Sequence, residues 1–219
     1  MIVQIYETQN NIEAKRLIEA GVEHIGVLVG KGEYPRELSP EQAEKIFRVV
    51  MKEVKKVVLS LSKNLKDIIE IVYKVNPDIL QLGTIPEYLS PEDVQRLKRQ
   101  FPKLMIMRSI PVKNGGSVEL AKQYDRVADY LLLDTEKKGA SQIGATGKTH
   151  DWSVSRQIVE SVSIPVILAG GLGTDNVADA ILRVKPFGVD SKTKTDKIGS
   201  HEKDIEKVRE FVRIAKSMK

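Results

Sequence analysis

The chain has 219 residues, 41% hydrophobic and 30% charged, which suits one α/β barrel domain under a heavily charged surface. It contains no cysteine, which excludes disulfides, thiolate metal sites and a cysteine nucleophile or base. Its net charge of +5 comes from lysines and arginines interleaved with acids, as in KRLIEAGVE and KDIEKVREFVR, a pattern of solvated helix faces. With aromatic residues at 5%, little is available for base stacking, so nucleic acid is not the expected partner.

No apolar run approaches the ~20 residues a membrane span needs. The opening MIVQIYETQ lacks the charged region and apolar stretch of a signal peptide. The expectation is a cytoplasmic protein with no membrane contact. Abundant Lys, Arg and Glu without Cys also suit a thermophile.

Short β-like runs alternate with amphipathic helical runs along the whole chain. The expected strands are residues 2–6, 24–29, 56–60, 79–82, 104–108, 130–134, 166–169 and 188–190. The expected helices are residues 10–20, 40–53, 64–75, 90–100, 117–126, 152–161, 174–184 and 202–217. Ser39-Pro40-Glu41 and Ser90-Pro91-Glu92 each set a serine N-cap before a proline at the first helical position. Thr174-Asp175-Asn176 reads as the opening of the seventh helix, and Gly21 as the stop of the first. Eight strand–helix units at about 27 residues each predict a single (β/α)8 barrel over residues 1–219. An open doubly wound sheet is the alternative, disfavoured because no GxGxxG follows the first strand.

In a barrel, the loops after the strands form the catalytic face. The longest of them are 30–38, 110–116, 135–150 and 191–201. Asp134 ends the sixth strand, where a carboxylate is either a partly desolvated acid or a helix cap or ion-pair partner. Gly144–Thr149 resembles a P-loop only in part, since the glycine spacing fails, so a nucleotide triphosphatase is not expected. Asp151 reads as the N-cap of the following helix.

Gly170-Gly171 follows the seventh strand, where backbone amides without side chains approach an anion closely. Barrels often hold phosphate between the loops after strands seven and eight. The eighth loop, Asp190-Ser191-Lys192-Thr193-Lys194, supplies hydroxyls and lysines there, although lysines at such positions are also common surface residues. Arg36 in the second loop is either a bidentate carboxylate clamp or a surface arginine. His24, His150 and His201 are scattered, with no metal-binding spacing, so no metal is expected. His150, beside the glycine loop, is either a group that titrates near neutral pH or, the preferred reading, a bystander.

Taken together, YPRELSPEQA, LLLDT, GKTHDW, LAGGL…NV and PFGVD stand in an order and spacing that resemble the phosphoribosylanthranilate isomerase family of tryptophan biosynthesis. The resemblance covers nearly the whole chain and is strongest after residue 129. It implies a cofactor-free Amadori isomerisation of a phosphorylated aminosugar by a monomer or homodimer. It places Asp134 as general acid, Arg36 on the anthranilate carboxylate, Gln81 among the substrate contacts, and Gly170, Gly171 and Asp190–Lys194 at the phosphate.

The departures lie at the catalytic face. Tyr6 and Glu7 occupy the family's Cys-Gly, which carries its base, so these two are the candidate bases. Gln81-Leu82-Gly83-Thr84 replaces Gln-Leu-His-Gly, and Lys192-Thr193-Lys194 replaces Ser-Ser-Gly. One reading keeps the isomerase with a replacement base. The others are an isomerase, epimerase or aldolase of a different sugar phosphate, or a non-catalytic phosphate-ligand binder.

Overall fold

The computed structural model describes residues 1–113, 115–135, 141–144 and 147–218. Among them run eight parallel strands: β1 (Ile2–Ile5), β2 (His24–Leu28), β3 (Lys55–Ser60), β4 (Ile79–Leu82), β5 (Met105–Val112), β6 (Tyr130–Thr135), β7 (Val166–Leu168) and β8 (Gly188–Ser191). They pair in chain order, and β8 returns to β1 to close a barrel. The helices between and after them are α1 (Asn11–Glu19), α2 (Pro40–Phe47), α3 (Leu65–Val75), α4 (Pro91–Gln100), α5 (Gly116–Tyr124), α6 (Trp152–Ser161), α7 (Val177–Val184) and α8 (Ile205–Ser217). This is the expected (β/α)8 architecture.

Two apolar layers hold it together. Each helix turns one stripe to the sheet, as Ile68, Ile71, Val72 and Val75 do on α3. Inside the barrel, Tyr6, Val57, Ile79, Met107, Leu132 and Ile167 form a separate cluster. The period of two along a strand extends that interior toward the catalytic face: Gln81 follows Ile79, Ser109 follows Met107, and Asp134 follows Leu132. Polar side chains thus sit directly above an apolar plug.

Both Ser-Pro starts are capping boxes, with Ser39 paired to Gln42 and Ser90 to Asp93. Arg108, fully buried on β5, donates to the carbonyls of Leu82 at 2.7 Å and Thr84 at 2.8 Å, fixing the end of β4.

Several expected boundaries move. α2 stops at Phe47, not residue 53, because the β-branched pair Val49-Val50 is a weak helix former and the chain tightens into i→i+3 bonds, Val50 N–H to Phe47 at 3.1 Å. Val50 and Val54 nevertheless stay buried, which is why their spacing mimics a longer helix. β5 runs on to Val112 rather than ending at residue 108, because Ser109–Val112 pair with Leu132–Thr135. α7 begins at Val177. The side chain of Asn176 makes no cap; it accepts from Gly173 N–H at 2.9 Å and donates to the Gly171 carbonyl at 3.0 Å, tying down the glycine loop instead.

Candidate active site

A cavity of about 230 Å³ opens at the carboxyl ends of the strands, lined by Tyr6, Glu7, Arg36, Gln81, Asp134, Asp190 and Lys192 among apolar neighbours such as Leu28, Leu59 and Ile143. A smaller cavity of about 40 Å³ adjoins it, lined by Gly147, Gly170, Gly171, Thr193 and Lys194. By that measure it has room for about three waters, the scale of one phosphate group. Asp134, Asp190 and Lys192 line both. Every site residue anticipated from the sequence therefore converges on one mouth.

Tyr6 follows β1 and lies flat against β2. A Cβ at Gly26 would run into its ring, so a glycine at that point of HIGVL makes room for the phenol. The hydroxyl donates to Gln81 Oε1 at 2.7 Å, and Gln81 Nε2 donates to Ser109 Oγ at 3.0 Å. Burial, reinforced by Asp190, raises the Tyr6 pKa well above the usual phenol range. Tyr6 thus holds its proton and gives it to Gln81, which corrects its expected standing as a base. Gln81 lines the wide cavity with both amide atoms joined to this chain of hydrogen bonds.

Asp134 is covered by the backbone of Gly144, whose N–H donates to the Thr135 carbonyl at 3.0 Å. Its Oδ1 accepts from Thr135 N–H at 2.7 Å. Burial pushes its carboxyl up to about 7, against the weaker opposing pull of that bond. Asp190, 8% exposed, has no hydrogen-bond partner on Oδ1. Burial and then the Asp134 charge push it up to about 8. Burial is the main cause in both, and the Asp134 charge adds to the shift of Asp190, so near neutrality the two carboxyls together hold about one proton.

Glu7 is held from two sides. Arg36 Nε donates to its Oε2 at 3.0 Å, Arg36 Nη2 donates to its backbone carbonyl at 3.0 Å, and Lys192 Nζ lies 3.6 Å from the same Oε2. Lys192 also approaches His201 Nδ1 at 3.5 Å.

At the smaller cavity, Gly171 has φ 61° and its backbone touches that of Gly147; a Cβ there would sit 2.8 Å from the Gly147 carbonyl oxygen. Only glycine combines that conformation with that approach. Thr193 opens a short 3-10 turn (Thr193–Thr195) whose first residues face the glycines. Lys194 lines the cavity yet pairs outward with Asp175 at 3.0 Å. Behind the turn, Lys203 is buried with Asp196, Nζ to Oδ1 2.6 Å, and donates to the Lys192 carbonyl at 3.1 Å. Burial lowers the pKa of Lys203, and Asp196 works against that. Its backbone N–H is received by Glu13 Oε1 at 2.9 Å, anchoring the whole turn to α1.

His150 lies beside Gly170, bonded to Ser155 Oγ at 2.7 Å, and burial lowers its pKa to about 4, which fits the bystander reading rather than a titrating one. Asp151 is the N-cap of α6, accepting from Ser153 N–H at 2.8 Å. In the GATGKT loop, Ala145 and Thr146 lie outside the described residues. Among the described residues no cluster of three His, Asp or Glu converges to hold a metal. Ser109 and Gly26 have no signal in the sequence because each acts through a partner remote in it, Gln81 and Tyr6; Asn176 reads there as a helix start, and its Asx spacing to Gly173 is a local signal of its role in the loop.

With this geometry in view, comparison with known proteins is direct. The family model described as N-(5'-phosphoribosyl)anthranilate (PRA) isomerase matches residues 4–214. The N-(5'-phosphoribosyl)anthranilate isomerase of Methanocella arvoryzae is 37% identical over 213 residues, covering 96% of this chain and 95% of that one. Its namesake from Methanothrix thermoacetophila is 32% identical, covering 98% of each. The structure of the enzyme of that name from Pyrococcus furiosus superposes with a TM-score of 0.81 at 26% identity, covering 99% of each chain. The chain belongs to the N-(5'-phosphoribosyl)anthranilate isomerase family.

Proposed function

We propose that the chain catalyses a cofactor-free Amadori isomerisation of an N-substituted 5-phosphoribosylamine, in the manner its family name describes. The observation that carries the reading is the position of Asp134 and Asp190, two enclosed carboxyls lining both the small glycine–lysine cavity and the wider apolar one. A ligand with its phosphate at Gly170, Gly171, Lys192, Thr193 and Lys194 lays its sugar across that pair.

The chemistry then balances within the pair. Asp134 gives its proton to the ring oxygen as the C1–O bond breaks and C1=N forms. A carboxylate removes the C2 proton, leaving the enolamine. Return of a proton to C1 and loss of the enol proton give the aminoketose and restore both groups. The acceptor in this reading is Asp190, whose Oδ1 is unpartnered, rather than Glu7, whose Oε2 is engaged by Arg36; the productive form is the less populated one of the singly protonated pair, with the proton on Asp134, since Asp190 has the higher pKa.

Loss of substrate fluorescence on incubation with N-(5'-phosphoribosyl)anthranilate tests this. Turnover is expected in the wild type and is expected to drop by about 100-fold or more in Asp134→Asn. Turnover indifferent to Asp134→Asn overturns the assignment.

A further inference from the structure

Arg36, in the loop after β2, is held at both ends by the loop after β1. Glu7 accepts from its side chain twice, at Oε2 from Nε and at the backbone carbonyl from Nη2, each at 3.0 Å. Gln9 Nε2 donates to the Arg36 carbonyl at 3.2 Å. The Arg36 backbone is left-handed, with φ 65°, a conformation that an arginine adopts at a cost and keeps only where its surroundings fix it. A guanidinium carries five N–H donors in one rigid plane, and Glu7 occupies only the Nε–Nη2 side of it. Among the described residues nothing accepts from Nη1. The Arg36–Glu7 pair is 17% and 14% exposed and lines the wide cavity. Lys192 Nζ lies 3.6 Å from the same Glu7 oxygen, so two cations stand about one acid and leave one net positive charge.

From this we infer that Glu7 is a positioning residue: it fixes the Arg36 guanidinium so that the free Nη1–Nη2 edge receives the carboxylate on the nitrogen substituent of the substrate. A planar fork pairs two N–H groups with two carboxylate oxygens only when its plane is set, and an arginine free to rotate must be ordered on binding, which weakens affinity. Held by Glu7, the fork is set before the ligand arrives. The net positive charge is matched by one carboxylate, and the wall beside it, Leu28, Pro35, Leu59 and Leu61, offers apolar surface to the ring that carries it. The inference rests on the proposed isomerase reading for the identity of that carboxylate, and on Glu7 and Arg36 for its recognition.

The test separates the two. Reductive amination of ribose 5-phosphate with aniline and with anthranilate gives two unreactive ligands differing by one carboxylate. Their dissociation constants are measured by calorimetry with the wild type, Glu7→Gln, Glu7→Ala and Arg36→Lys. The wild type is expected to bind the anthranilate ligand about tenfold or more tighter than the aniline ligand. Glu7→Ala, which frees the guanidinium to rotate, is expected to lose most of that ratio while binding the aniline ligand as the wild type does. Glu7→Gln, whose amide oxygen still accepts from Nε, is expected to keep the ratio or raise it. Arg36→Lys, a cation without the fork, is expected to lose the ratio as Glu7→Ala does. A ratio that Glu7→Ala leaves unmoved or raises makes Glu7 at most a like-charge competitor of the ligand and overturns the inference. A parallel loss of both ligands in Glu7→Ala, or an Arg36→Lys that keeps the ratio, also overturns it. Absence of turnover on N-(5'-phosphoribosyl)anthranilate, with the binding ratios as expected, counts against the isomerase reading and leaves the role of Glu7 standing. Turnover with a ratio unmoved by Glu7→Ala does the reverse.

Discussion

The Tyr6 hydroxyl donates a 2.7 Å hydrogen bond to Gln81 Oε1, across the barrel from β1 to β4. The bond orients Gln81 so that its amide reaches Ser109, and it leaves the phenol proton committed inside the protein. Tyr6→Phe is therefore expected to lower stability by about 1–2 kcal/mol, since Gln81 Oε1 loses its donor, while turnover stays within about threefold. Chemical denaturation and steady-state rates check both halves. A loss of turnover by orders of magnitude without a matching loss of stability would restore Tyr6 as the base.

Tyr6 and Gly26 are coupled by shape. A Cβ on Gly26 collides with the ring, so Gly26→Ala is expected to cost about 1–3 kcal/mol. In the Tyr6→Cys background the same change is expected to cost much less. The double-mutant cycle measures the interaction, and additive effects would mean that the ring does not rest on Gly26.

Asp134 and Asp190 also predict a pH dependence of stability. Their folded pKa values, about 7 and about 8, are raised mainly by burial above the usual carboxylate value near 4. Between those limits the folded state holds protons that the unfolded chain has released, so stability falls as pH rises from about 4 to about 8. Asp190→Asn is expected to remove its part of that slope and to be more stable than wild type at pH 8, by about 1–3 kcal/mol. Urea denaturation at pH 5 and pH 8 reads the difference. Equal slopes in wild type and variant contradict the enclosed pair.

How far the sequence carries depends on the range of the interactions involved. Asp134 and Gly170-Gly171 are legible because each closes an apolar run, and a run that ends in polar residues marks the rim of a barrel. Asp190 has the same local signature, and the sequence reading put it among the phosphate ligands. Its burial raises its pKa, with the Asp134 charge adding to the shift, and no spacing in the chain encodes either. Glu7 reads as a free base until the fold brings Arg36 onto it from 29 residues away. The end of α2 was missed because Val50 and Val54 keep the helical burial rhythm after the helical hydrogen bonds have stopped.

The Lys203–Asp196 pair positions the turn that presents Lys192 and Thr193. Both members are almost wholly buried, and the pair holds the Lys192 carbonyl. Asp196→Asn leaves an ammonium enclosed without its counter-charge, which costs about 3–5 kcal/mol. Inorganic phosphate is expected to bind more weakly to this variant, whereas Lys197→Met, on the exposed side of the same turn, is expected to bind it normally. Unchanged phosphate binding in Asp196→Asn at a temperature where it remains folded would show that the pair does not position the turn.

In the proposed reaction two carboxyls divide the acid and base roles through one proton. The measurement that tests it most directly is the pH profile of kcat/KM for the wild type and Asp190→Asn on the same N-substituted 5-phosphoribosylamine. The wild type is expected to give a bell with its maximum between about 7 and about 8, because the acceptor is lost when both groups are protonated and the donor when both are ionised. Asp190→Asn is expected to fall by about 100-fold or more and to lose the bell shape. A wild-type bell that persists in Asp190→Asn, at a rate close to that of the wild type, would contradict the account.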